Sequence, residues 1–262
     1  MNTASAFPSE GDTGSPAPAP QRRVIDAPTR ALHWLLALSF SGAYLSAESE
    51  RWHLLHITLG YTALGLVLAR LLWALLGPRR VQASVWWGKV RTLPAQLQAW
   101  RQGRGSVPAG FQALNAVLVL GLLATLMLAT LSGMGLELEW WSARAEWLDE
   151  AMEEGHELIG NLVLALALAH IGLVLGVSLL RRQNLAGPML SGKAPGRGPD
   201  LVQRNGGLLA ALIVAAVLGF WAWQWRQDAP WGAGPDRDRA SSSQGHAEAR
   251  AGSHDDDDDD DD

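Results

Sequence analysis

Apolar residues gather into five long blocks separated by polar or basic stretches: Ala31–Ala47, His56–Leu76, Gln112–Met134, Leu158–Leu180 and Leu208–Trp225. A helix that crosses a bilayer needs roughly 20 mostly apolar residues, because the hydrocarbon core is about 30 Å thick and a helix rises about 1.5 Å per residue. The blocks meet that length or come close. The first is short, which moves its start back toward Ile25 or Thr29. Leu and Ala dominate, without the period-two alternation of a barrel strand, so the pattern predicts helices. The expected fold class is an all-α integral membrane protein, with four spans in a bundle and a fifth C-terminal transmembrane helix. A water-soluble all-α protein is the competing reading, and span length argues against it.

Lys and Arg alternate between the connecting segments. Arg22, Arg23 and Arg30 precede the first block, and Arg51 alone follows it. Arg70, Arg79, Arg80, Lys89, Arg91, Arg101 and Arg104 crowd the second connection, Arg144 stands alone in the third, and Arg181, Arg182, Lys193, Arg197 and Arg204 lie in the fourth. Cytoplasmic loops carry the cations. The series therefore predicts a multi-pass protein of the bacterial inner membrane, with its N-terminus cytoplasmic and its C-terminus periplasmic. Trp34, Trp52, Trp73, Trp140, Trp141, Trp221, Trp223 and Trp225 sit near block ends, where indoles prefer the interface; they receive no catalytic role.

The domains expected are a disordered Ser/Pro/Ala/Gly-rich arm (1–21), a membrane domain (22–193), a linker with the fifth span (194–228) and a disordered acidic tail (229–262). The arm lacks the basic-then-apolar order of a signal peptide. Residues 81–105 fit an amphipathic surface helix interrupted at Pro94.

Composition changes the picture in two ways. The 262-residue chain has no cysteine, which excludes disulfides, thiolate metal sites, iron–sulfur clusters and covalent haem attachment. Its net charge of −5 comes from the terminal Asp255–Asp262 run; the rest carries 21 basic against 18 acidic residues. No nucleic-acid-binding surface is implied.

His246 and His254 lie in the tail, whereas His33, His53, His56, His156 and His170 fall in or beside the spans. Ionisable groups in a bilayer usually face the bundle interior with a partner, and neutral imidazole is a common axial ligand of haem iron. Antiparallel threading brings His56 and His156 to the outer side and His33 and His170 to the inner side. His156 and His170 are about 21 Å apart along the axis and share a face. Four histidines on three helices thus make two stacked bis-imidazole sites. The inner pair matches less well in depth, which requires an earlier start of the first span or a projecting fourth span. His53, three residues before His56, is an alternative ligand, but His56 opens the apolar run. His56 and His156 each begin a His-x-x-x-Gly pattern, ending at Gly60 and Gly160. A glycine one turn on lets a flat macrocycle approach the backbone, and helix packing is the competing use of such residues. Arg51 on the outer side, and Arg30 and Arg70 on the inner, are candidate partners for haem propionates.

Arg30-Ala-Leu-His33-Trp34, His56-Ile-Thr-Leu-Gly60-Tyr61 running to Arg70-Leu-Leu-Trp73, and His156-Glu-Leu-Ile-Gly160-Asn161 running to Ala169-His170 together resemble the bacterial cytochrome b561 and nickel-hydrogenase b-type cytochrome family, as does Met189-Leu-Ser-Gly192. The resemblance covers about Val24 to Lys193. It implies two non-covalent b-type haems held by His33, His56, His156 and His170, in a carrier passing electrons between a quinone pool and a partner redox protein. Many such relatives have a His-Asn-Pro motif before the third span. Here the stretch reads Gly110-Phe111-Gln112-Ala113-Leu114-Asn115, so a quinone or partner feature built on that motif is not carried over.

Glu137, Glu139, Glu146, Asp149, Glu150, Glu153, Glu154 and Glu157 stand between the third and fourth spans. They fit either a docking surface for a basic periplasmic cytochrome c or redox enzyme, or a merely solvated loop. Two other roles remain for the chain: the membrane anchor of a larger oxidoreductase such as a hydrogenase, and a non-haem transporter or metal-binding protein.

Overall fold

The computed structural model describes residues 20–77, 82–140 and 146–227. The arm through residue 19, the tail from residue 228, Arg79, Arg80, Trp141 and Arg144 lie outside the described residues. A short strand β1 (Gln21–Arg23) leads into α1 (Ala27–Ser46), a 3-10 turn (Glu50–Trp52) and α2 (His53–Leu76). Two short helices, α3 (Ala83–Arg91) and α4 (Leu93–Arg101), precede the long α5 (Val107–Glu137) and α6 (Glu146–Arg181). A five-residue α7 (Gly187–Ser191), strand β2 (Lys193–Pro195) and α8 (Gly207–Gln227) complete the fold.

Among the described residues four stretches are long and apolar enough to cross a membrane: 50–76, 107–137, 147–181 and 207–227. Residues of the first block form α1, but this helix is not among those four. Arg30, His33, Ser39, Ser41 and Ser46 dilute its hydropathy. Ser39 and Ser46 are buried against the bundle rather than left facing outward. The helix begins at Ala27, where Asp26 caps it by accepting from the Thr29 N–H at 2.8 Å.

The helices pack in the order α6, α5, α2, α1, α8. Val67, Leu126, Ala129 and Val163 form a buried cluster with Leu36, Phe40 and Ile159, which joins α1, α2, α5 and α6. A second cluster, Leu32, Leu66 and Val217 with Ile213 and Trp221, seats α8 on α1 and α2. Trp221 Nε1 donates to Thr62 Oγ1 at 2.8 Å across that seam. The outward faces carry exposed leucines such as Leu68, Leu75, Leu179 and Leu212, as lipid-facing helices do. The expected surface helix over 81–105 is instead two helices that break at Thr92, with Pro94 in the first turn of the second.

Antiparallel pairing of β1 with β2 closes the N-terminal end of the bundle, with Gln21 opposite Pro195. The carbonyl of Gly192 accepts from the N–H groups of Val24 and Ile25. Gly192 has φ +77, and a Cβ there would lie 3.0 Å from the Ile25 carbonyl oxygen, so glycine is needed. Arg30 donates to the Leu190 carbonyl at 2.8 Å and Trp34 Nε1 to the Met189 carbonyl at 3.1 Å. These bonds tie the 189–192 segment to the start of α1.

Candidate functional site: two histidine pairs in the bundle

His56 sits in the first turn of α2 and His156 near the N-terminal end of α6, so antiparallel threading sets them at one end of the bundle. Their ring centroids are 6.1 Å apart and the ring planes cross at 83°. A metal–imidazole bond is about 2.0–2.1 Å, which sets two rings sharing one ion roughly 6 Å apart between centroids. The observed separation fits two axial ligands of one iron.

Hydrogen bonds fix the tautomer of both rings. His56 Nδ1 lies 2.8 Å from the Ala43 carbonyl of α1. A carbonyl only accepts, so Nδ1 carries the proton and Nε2 keeps its lone pair. Ser132 Oγ of α5 donates its single proton to the Ala129 carbonyl and lies 3.0 Å from His156 Nδ1. It therefore accepts from the Nδ1–H of His156, whose Nε2 is likewise left for a metal. Such outer partners orient ligating imidazoles and raise their basicity. Gly133 gives the ring its room: a Cβ there would lie 2.8 Å from His156 Cε1.

A Cβ on Gly60 or on Gly160 would meet no atom within 4 Å. Neither glycine of the two His-x-x-x-Gly patterns is therefore in close contact with a neighbouring helix. Tyr44 donates to Asn161 Oδ1 at 2.8 Å, bridging α1 to α6 beside this region.

The second pair lies nearer the other end. His33 is in the second turn of α1, and His170 is on the C-terminal half of α6, toward the same end of the bundle. The Nδ1 atoms of both are buried without a hydrogen-bond partner. Of the two resolutions of the depth mismatch in the sequence, the structure has the first: α1 starts at Ala27, four residues before the apolar block, whereas α6 gains its extra length at its N-terminal end and stops at Arg181.

His53 is the first residue of α2 rather than part of a preceding loop, but it faces outward. Its side chain is 66% exposed and lies 3.7 Å from Glu137. It is not part of either pair. Among the candidate cations, Arg51 is exposed and stacks on Trp52. Arg30 spends one guanidinium nitrogen on the Leu190 carbonyl. Arg70 is buried, 8% exposed, with its guanidinium over the Trp86 ring and its NH1 without a partner. Ser132, Gly133 and the Ala43 carbonyl were missed in the sequence. Only the recurrence of small residues toward the end of the third block, Ser132-Gly133-Met134-Gly135, hinted at a close approach.

The acidic stretch is also different from the loop expected. Asp149, Glu150, Glu153, Glu154 and Glu157 lie on the first turns of α6, where carboxylates suit the positive end of a helix. Among the described residues no group of three or more His, Asp and Glu side chains is placed to hold a metal ion; His56 and His156 come together as two.

The family model described as prokaryotic cytochrome b561 matches residues 24–192, well over half of the chain. No curated protein and no solved structure matches it.

Proposed function

This chain belongs to the prokaryotic cytochrome b561 family of b-type haem membrane electron-transfer proteins, and on that premise we propose that it holds two haems and carries electrons between a quinone pool and a partner redox protein. His56 and His156 hold the outer haem; His33 and His170 hold the inner one. The observation that carries the reading is the 6.1 Å spacing of the first two rings, with each Nδ1–H already engaged and each Nε2 left over.

When bound, each haem supplies a reversible one-electron centre. The chain does the rest. Ala43 and Ser132 hold the outer imidazoles in one tautomer, and Gly60, Gly133 and Gly160 keep the backbone clear. Arg70, whose buried NH1 lacks a partner, meets a propionate of the inner haem. Arg30 assists there through its buried Nε, and Arg51 serves the outer edge. Apolar clusters on either side keep the dielectric low around the irons. Quinone exchanges electrons at a haem edge close to one interface.

The protein sits in the bacterial inner membrane with the start of α1 in the cytoplasm, as the alternation of cations supports. α1 crosses with its polar residues turned inward, and α8 crosses as a fifth span that delivers the acidic tail to the periplasm. The carboxylates on the first turns of α6 and at Glu137 then flank the outer haem and dock a basic cytochrome c. The test is a reduced-minus-oxidised spectrum with a haem-to-protein ratio on haem-replete protein. Two b-type haems per chain are expected; a ratio of one or none refutes the assignment.

A further inference from the structure

Helices α3 and α4 join the end of α2 to the start of α5, on the membrane face where α1 begins. Both pack against α5, and α3 is held to α2 by Arg70 beneath Trp86. Their outer surface is mixed. Val85, Trp87, Leu97 and Trp100 are exposed large apolar residues. Among them stand Lys89, Arg91, Arg101 and Arg104, with no acidic residue anywhere from position 51 to 136. Among the described residues these four cations make no ion pair.

Lone cations need no explanation beyond topology, but their placement is specific. α4 ends in a turn where the Arg104 N–H bonds the Ala99 carbonyl and Gly103 takes φ +69. Trp100 closes over the following chain; a Cβ at Gly105 or Gly110 would collide with its indole. Beneath it a small apolar cavity opens between α4 and α5, lined by Leu93, Gln96, Leu97, Trp100, Gly110 and Leu114. Arg101 in the last turn of α4 and Arg104 just after it thus follow directly on the helix that lines this apolar slot.

We propose that α3 and α4 form a lipid-binding platform that selects anionic phospholipid: Arg101 and Arg104 take the headgroup phosphate, the slot between α4 and α5 takes the start of an acyl chain, and Lys89 and Arg91 extend the contact along the leaflet. Charge complementarity and the apolar lining of the slot commit the surface to lipid rather than to a soluble partner. Amphipathic helices with cations and Trp bind interfaces in this manner.

Full-length protein in vesicles of phosphatidylcholine, or of phosphatidylcholine with phosphatidylglycerol at 3:1, is extracted in mild detergent and its retained phospholipid counted by class. The wild-type protein should retain phosphatidylglycerol at several times its bulk share. R101Q/R104Q should bring that enrichment down to about the bulk share, since each cation near the surface contributes about 1 kcal/mol, and R101E/R104E should push it below the bulk share. An unchanged haem spectrum certifies the fold of each variant, and R182Q, on the same face but away from the platform, controls for bulk charge. Retention in proportion to the bulk lipid, or R101Q/R104Q retaining as much phosphatidylglycerol as R182Q, overturns the proposal. If neither double variant folds, the wild-type enrichment compared with R182Q decides it alone.

Discussion

A Cβ on Gly133 would stand 2.8 Å from Cε1 of His156, so α5 carries a glycine where the imidazole of α6 rests on it. Gly133→Ala should push the ring off its position and weaken the outer haem about tenfold, the usual scale for disturbing a ligand's supports. Gly133→Leu should remove that haem while leaving the inner one. Haem titration of the two purified variants checks the order.

Ser132 acts on the same ring by a different route. Its Oγ accepts from His156 Nδ1–H at 3.0 Å, which makes the imidazole a stronger donor and favours the oxidised iron. Ser132→Ala should keep both haems but raise the midpoint potential of the outer one, with affinity lower by about 10–100-fold. A potentiometric titration reads both components; an unmoved outer potential argues against the bond's role.

Trp221 Nε1 is bonded to Thr62 Oγ1 at 2.8 Å, and Thr62 in turn donates to the Thr58 carbonyl at 2.7 Å. Trp221→Phe removes one hydrogen bond without orphaning Thr62, so the expected loss is about 1 kcal/mol. It should appear in thermal unfolding and in earlier protease access to α8, with the haem spectrum unchanged. A loss of either haem would mean that α8 supports the ligand helices more closely than this seam suggests.

Much of this fold was legible because bilayer length imposes a coarse rule on sequence. α2, α5, α6 and α8 each include the block expected and extend beyond it, α6 by a charged stretch from Glu146 to Glu157 that hydropathy cannot follow. α1 was harder. Its buried Ser39 and Ser46 and half-buried His33 lower the very signal that marks a span, because they point at other helices instead of lipid. The approach of His56 to His156 was legible from antiparallel threading alone. Their supports were not: Ser132 and Gly133 lie on the helix that contributes no ligand, and the Ala43 carbonyl has no side-chain signature. The acidic residues from 146 on read as a loop because a charged amphipathic turn and a solvated loop share a composition.

Those acids give a prediction of their own. Glu150, Glu153, Glu154 and Glu157 are exposed on α6 beside the outer pair. Electron transfer to a basic cytochrome c should slow about tenfold between low and high salt, because surface charges are screened beyond about 10 Å at 0.1 M. Replacing the four by Gln should flatten that dependence. Transfer indifferent to ionic strength in the unmodified protein removes the docking surface.

The pairing of histidines is tested most directly by counting haems and recording spectra for four single variants, H33A, H56A, H156A and H170A. H56A and H156A should each leave one haem per chain with the same residual spectrum, and H33A and H170A should each leave the other. The double variant H56A/H156A should lose no more than either single one, since both remove one centre. Contradiction would come from H56A and H156A leaving different residual spectra, or from any of the four retaining both haems.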